Sequence, residues 1–172
     1  MITNHQLDIA TQVPSENFNQ RPAESEISLV VIHNISLPPR KFNTPYIEDF
    51  FTNKLDINKH EYFNTLVGVK VSAHLLIKRT GEIVQFVNFD QRAWHAGESC
   101  FNQVENCNNY SIGIELEGTD TQDYETSQYQ ALNQVLSILK ANYPITNIVG
   151  HSDIAPGRKT DPGASFNWSK LT

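Results

Sequence analysis

Positive charge is scarce in this chain: thirteen lysines and arginines stand against nineteen aspartates and glutamates, a formal net charge of −6 with histidine neutral. Nucleic acids and anionic membrane surfaces select basic faces, so neither is expected as a partner. Long apolar runs are missing as well, and nothing approaches the roughly 18 consecutive apolar residues of a membrane span. Residues 1–26 carry neither the basic start and apolar run of a secretory signal nor a lipidation cysteine, so a cytoplasmic location is expected. Cysteine is nearly absent. Cys100 and Cys107 are close enough to pair, but in a reducing compartment both are expected as free thiols without a catalytic role. No repeat, low-complexity tract or composition break marks a linker. The expectation is a single domain over residues 1–172, a monomer, with residues 1–26 as a polar N-terminal extension and a core drawn from the 39% of residues that are hydrophobic.

The apolar residues fall into two periodicities. "ISLVVIH", residues 27–33, is short and rich in β-branched residues, the pattern of a strand buried on both faces and ending on His33. "VSAHLLIKRTGEIVQFV" predicts two strands joined by a turn at Thr80 and Gly81. "YSIGIELEG", residues 110–118, alternates Ile112, Ile114 and Leu116 with Ser111, Gly113, Glu115 and Glu117, a further strand with the two glutamates on one face. Helical spacing appears twice. "NTPYIEDFFTNKL" offers Thr44 as N-cap and Pro45 at the first helical position. From Thr126 or Ser127 the stripe Tyr129, Leu132, Leu136, Leu139, Tyr143 runs to Pro144, with Ser127 and Gln130 spaced as a capping box. "NIVGH" then predicts a short strand delivering His151 into a loop. Strands interspersed with helices indicate a mixed α/β fold: a central mixed sheet with helices packed on it.

Near the C-terminus, "GHSDIAPGRKTDPG" sets His151, Lys159 and Asp161 in a segment stiffened by prolines and glycines. A histidine and an aspartate ten residues apart suit a metal that needs neutral imidazoles, a carboxylate and one open position. They equally suit an aspartate that caps a turn. His33, His74 and His95 have similar claims as ligands or as buried core histidines, His5 and His60 lie in polar surroundings, and Glu115 reads either as a general base or as part of a solvated face. Lys159 on its own reads as a surface lysine.

Taken together, the strings "VVIHNISLPP", "VSAHLLIKRTGEIVQFV", "RAWHAG", "SIGIELEGTD", "QYQAL" and "APGRKTDPG" resemble, in the same order, the zinc-dependent N-acetylmuramoyl-L-alanine amidases, and within them the cytoplasmic branch of cell-wall recycling that acts on 1,6-anhydro-muropeptides. The resemblance covers Ile27 to Trp168. It implies the fold shared by these amidases and the peptidoglycan-recognition proteins, and one zinc per chain on His33, His151 and Asp161. It implies Glu115 as the catalytic acid–base, Lys159 as the second catalytic residue, and Asn34, Trp94 and His95 along the substrate cleft. Lys70 stands where the family carries arginine and keeps the charge for a substrate carboxylate.

The implied reaction is hydrolysis of the amide between anhydro-muramic acid and the L-alanine of a small, soluble muropeptide. Glu115 would move the water proton to the departing amine and Lys159 would stabilise the oxyanion. Residues 52–66, "TNKLDINKHEYFNTL", are expected to form a wall or lid over the site. Two other readings share the fold: a peptidoglycan-recognition module that binds without cutting, which usually lacks a zinc ligand, and a wall-lytic amidase acting on polymer.

Overall fold

The computed structural model describes all of residues 1–172. At its centre is a six-stranded sheet of β1 (Thr11–Gln12), β2 (Leu29–Ile35), β3 (Leu75–Ile77), β4 (Ile83–Gln85), β5 (Ser111–Glu117) and β6 (Asn147–Gly150), in the spatial order β6-β2-β5-β3-β4-β1. Only the β3–β4 hairpin is antiparallel; β6 and β5 flank β2 in parallel, β3 runs parallel to β5, and β1 runs parallel to β4 at the edge. The sheet is therefore mixed, as the element pattern indicates.

The two middle strands set the plan of the molecule. In β2 the residues Leu29 to His33 are buried, and β5 is buried along its whole length. Alternation sends Val30, Ile32, Ile112, Ile114 and Leu116 to one face, where they pack in a cluster with Leu132, Val135, Leu136 and Leu139 of the helix α2 (Thr126–Asn142). Side chains of this size stabilise a fold by about 1.5–3 kcal/mol each when fully buried. The opposite face carries Val31, His33, Gly113, Glu115 and Glu117. Strand β2 extends to Ile35, two residues beyond the apolar run, because ladder pairs with β5 continue through Asn34 and Ile35.

Several boundaries differ from the sequence pattern for identifiable reasons. Helix α1 covers Tyr46–Phe51, and Thr44 does not cap it, because its hydroxyl donates to the Leu37 carbonyl at 2.7 Å. Helix α2 is capped by Glu125, whose backbone N–H donates to Gln128 Oε1 at 3.1 Å; the expected Ser127–Gln130 box is not formed, since Ser127 donates to the Arg79 carbonyl at 2.7 Å. His151 does not enter a loop but opens a one-turn helix, α3 (His151–Ile154), which follows β6 directly.

Residues 1–26 are woven into the fold although few of them are apolar. Leu7 is fully buried, β1 forms the sheet edge, and Phe18–Gln20 pairs antiparallel with Gln91–Ala93. Buried Asn17 donates to the carbonyls of Phe51 and Val71, and Ser72 donates back to Asn17. Residues 57–66 form two short 3-10 turns pinned by fully buried Phe63, whose ring meets Tyr46 edge-on at 5.0 Å. No helix is long and apolar enough to cross a membrane.

Candidate metal centre

The parallel register of β2 and β5 puts Glu115 opposite His33, on the face turned away from α2. Strand β6, on the other side of β2, ends at Gly150, so His151 begins α3 next to the same strand. The segment after α3 returns Asp161 to it. His33 Nδ1 lies 2.9 Å from His151 Nδ1 and 3.1 Å from Asp161 Oδ2, and His151 Nδ1 lies 3.0 Å from the same oxygen. The structure thus brings together the three candidate ligands, with both histidines buried.

This donor set fits a small divalent cation. A tetrahedral ion with bonds of about 2.0–2.1 Å holds its ligand atoms roughly 3.3 Å apart, a few tenths more than the spacing found here. The remote nitrogens are already engaged: His33 Nε2 is 2.9 Å from His95 Nδ1, and His151 Nε2 is 3.0 Å from the Ala96 carbonyl oxygen. With those nitrogens protonated, two imidazole lone pairs and a carboxylate converge on one point, an arrangement that a cation between them relieves. Burial pulls His33 down to about 4 despite the opposing pull of Asp161, so its imidazole is neutral at physiological pH. For Asp161, burial acts to raise the pKa, but its close contacts with the His151 and His33 rings outweigh it and hold the carboxyl well below the usual carboxylate range. Zinc is the ion that best suits two imidazoles and one carboxylate with an open fourth position.

Beside the cluster lies a cavity of about 290 Å3 lined by all three residues together with Glu115, Lys159, Trp94 and others. Glu115 is buried and its Oε2 has no hydrogen-bond partner, so the solvated-face reading does not hold. Burial, with the neighbouring charge of Asp161, raises its pKa well above the ordinary value, against the pull of Lys159. Glu117, two residues on, is also buried but is satisfied by the backbone N–H groups of Asn43 at 2.6 Å and Arg79 at 3.0 Å. Lys159 is exposed and borders both this cavity and an adjoining one of about 540 Å3, which Tyr62 and Leu66 of the 52–66 segment help to wall.

The other sequence candidates divide. Asn34 borders both cavities, with its amide nitrogen donated to Asp120 Oδ1 at 2.8 Å and to the Pro162 carbonyl at 3.1 Å. Trp94 lines the smaller cavity and gives its indole N–H to Asn19. His95 borders that cavity but is chiefly packed behind His33. Lys70 is exposed and lies with Leu66 and Val69 at a neighbouring hollow, outside the cavity that holds the cluster. His74 takes no part: it is fully buried, accepts from Gly113 N–H at 3.0 Å and contacts the Gln91 carbonyl. His5 and His60 are exposed, and Cys100 and Cys107 are both free thiols. Asp120 and Asn108 did not stand out in the sequence. Asp120 ties Asn34 to Thr160, and Asn108 Oδ1 accepts the N–H groups of His95 and Ala96, contacts between residues 12 to 86 positions apart that no local pattern announces.

Residues 23–164 match the family model described as N-acetylmuramoyl-L-alanine amidase. The chain belongs to that family. A relative from Citrobacter freundii, the 1,6-anhydro-N-acetylmuramyl-L-alanine amidase AmpD, is 53% identical over 164 residues, covering 94% of this chain and 88% of the relative. The crystal structure of a selenomethionine derivative of AmpD superposes with a TM-score of 0.97 at 50% identity, covering 100% of this chain and 99% of that one. The amidase AmiD of E. coli, solved with the substrate anhydro-N-acetylmuramic acid-L-Ala-D-γ-Glu-L-Lys, superposes with a TM-score of 0.63 at 29% identity, covering 91% of this chain and 65% of that one. Within the amidase family, then, this fold is shared over essentially its full length.

Proposed function

We propose that this amidase hydrolyses the amide between 1,6-anhydro-N-acetylmuramic acid and L-alanine in soluble muropeptides, with one zinc held by His33, His151 and Asp161. The observation that carries the reading is the convergence of those three ligand atoms at a cavity that buried Glu115 also lines. Kinship to relatives named for this reaction supplies the substrate. A recognition module that only binds does not need this complete set.

Zinc, when bound, supplies Lewis acidity that makes water nucleophilic near neutral pH. Glu115 takes the proton of the attacking water, whose oxygen adds to the lactyl carbonyl carbon. The same proton passes to the alanine nitrogen as the C–N bond breaks, so Glu115 serves first as base and then as acid. Lys159 borders the cavity, and we assign its ammonium the stabilisation of the oxyanion that develops on the carbonyl. Asn34 has its amide protons committed to Asp120 and Pro162, which leaves its carbonyl oxygen for a donor on the substrate. Trp94, with its N–H taken by Asn19, offers its ring surface. We assign the remaining substrate contacts to the part of His95 that borders the cavity and to Lys70 in the neighbouring hollow.

Tyr62 and Leu66 of the 52–66 segment line the adjoining cavity, and we assign that segment the exclusion of a continuing glycan chain. An enzyme that acts on released fragments belongs in the cytoplasm, and two free thiols fit a reducing compartment. The test compares stem-peptide release from anhydro-muramyl tripeptide, its non-anhydro analogue and purified sacculi, alongside zinc content. The anhydro substrate is expected to react at least about tenfold faster than the others, and Asp161→Ala is expected to lose both zinc and activity. Equal rates on all three overturn the recycling assignment, and full activity without metal overturns the zinc site.

A further inference from the structure

The two ligand histidines are oriented from a single point in the chain. His33 Nε2 meets the side chain of His95 at 2.9 Å, and His151 Nε2 meets the carbonyl of the next residue, Ala96, at 3.0 Å. Both backbone N–H groups of this dipeptide donate to Asn108 Oδ1, at 3.2 Å from His95 and 2.9 Å from Ala96. The far side of the His95 ring is held as well, with Nε2 at 3.2 Å from Ser111 Oγ. Strand β5 makes room for the ring: a Cβ at Gly113 would lie 2.3 Å from His95 Cγ, so no residue but glycine fits beneath it. Arg158 is a second partner of the same Ala96 carbonyl, donating to it at 2.7 Å.

Resting on the zinc site argued above, we propose that His95–Ala96, clamped by Asn108, is the positioning element of the metal centre. His95 accepts the Nε2 proton of His33 and Ala96 accepts that of His151, so both imidazoles are locked in the tautomer whose Nδ1 lone pair faces Asp161. The assignment follows from geometry. A histidine that offers Nδ1 to a metal carries its proton on Nε2, and each Nε2 here points at an acceptor. His95 Nδ1 acts as that acceptor only if its own proton sits on Nε2, where Ser111 Oγ receives it. His95 is thereby a positioning residue rather than primarily a substrate contact, which explains why the ring stands on edge against His33, with the ring planes at 83°.

The test measures zinc affinity by competition with a chromophoric chelator, and reads kcat and KM separately on anhydro-muramyl tripeptide. His95→Leu is expected to bind zinc about 10–100-fold more weakly, the usual effect of deleting an outer partner of a ligand histidine. His95→Asn, which returns an acceptor oxygen near the Nδ1 position, is expected to recover most of that loss. Asn108→Ala is expected to weaken zinc binding in the same direction with KM unchanged. In zinc-loaded wild-type protein, histidine 1H–15N correlations are expected to place the proton on Nε2 of both His33 and His95, a readout that requires no variant to fold. Unchanged zinc affinity with a raised KM in His95→Leu, or a proton on His95 Nδ1, overturns the proposal while leaving the zinc site standing. A wild-type protein that takes up no more zinc than His33→Ala brings down the site itself.

Discussion

A carboxylate in an apolar wall is costly unless it is paired, and Glu115 retains one oxygen with no partner at all. Glu117, on the same strand and face, shows the contrast: its two oxygens are filled by backbone donors, and it serves the fold. A carboxylate that no backbone donor holds stays free to carry a proton, whereas one filled as Glu117 is cannot. Glu115→Gln keeps shape and volume and removes only the basicity. It is expected to retain zinc and lose about two to four decades of turnover, the common contribution of a positioned acid–base group. Metal content and single-turnover rates check this together, and a variant with wild-type turnover and full zinc would remove Glu115 from the reaction.

At the scale of elements, what could be read in advance followed from how local each signal is. Strands β2 and β5 and helix α2 announce themselves because their periodicity lies in neighbouring residues, and the structure places all three at the centre of the core. The capping of α2 did not, because Ser127 has a distant competitor in the Arg79 carbonyl. The metal ligands were open alternatives as isolated residues and became a set only through resemblance to a family, since His33 and Asp161 meet across 128 positions of chain. The N-terminal segment was the least legible part, being polar and yet structural. Arg21 explains why. Its guanidinium donates to the carbonyls of Phe89, Asn108, Asn109 and Ser111 and contacts His74, and burial lowers its pKa to about 10. It ties the N-terminal segment to the loop that carries Asn108. Arg21→Ala strips these carbonyls of their donor and is expected to cost roughly 3 kcal/mol of stability by urea denaturation. A loss within about 0.5 kcal/mol would mean that this segment is only draped over the domain.

On the scale of the whole molecule, one sheet separates two environments: an apolar face under α2 and a face that holds polar groups away from water for chemistry. Keeping neutral histidines buried on the second face has a consequence for folding. His74, fully buried beside Arg21, is drawn down to about 3 by desolvation and then by that neighbouring charge. In the unfolded chain it titrates near its ordinary value of 6.5. Between those two values the unfolded state binds a proton that the folded state refuses, so stability falls as the pH is lowered through this window and levels off below it. Above 6.5 both states leave His74 neutral, and it contributes no pH dependence. Metal-free protein is therefore expected to show a Tm that declines steadily from neutral pH toward pH 4. His74→Gln, which leaves a neutral amide that does not titrate, is expected to be less stable at pH 7.5 because Gly113 N–H loses its acceptor, yet to decline with a shallower slope. Thermal melts of both proteins across that range, with chelator present so that zinc release does not enter, decide the matter. Parallel slopes would show that His74 takes up its proton in the folded state, and that this face of the sheet is wetter than its packing indicates.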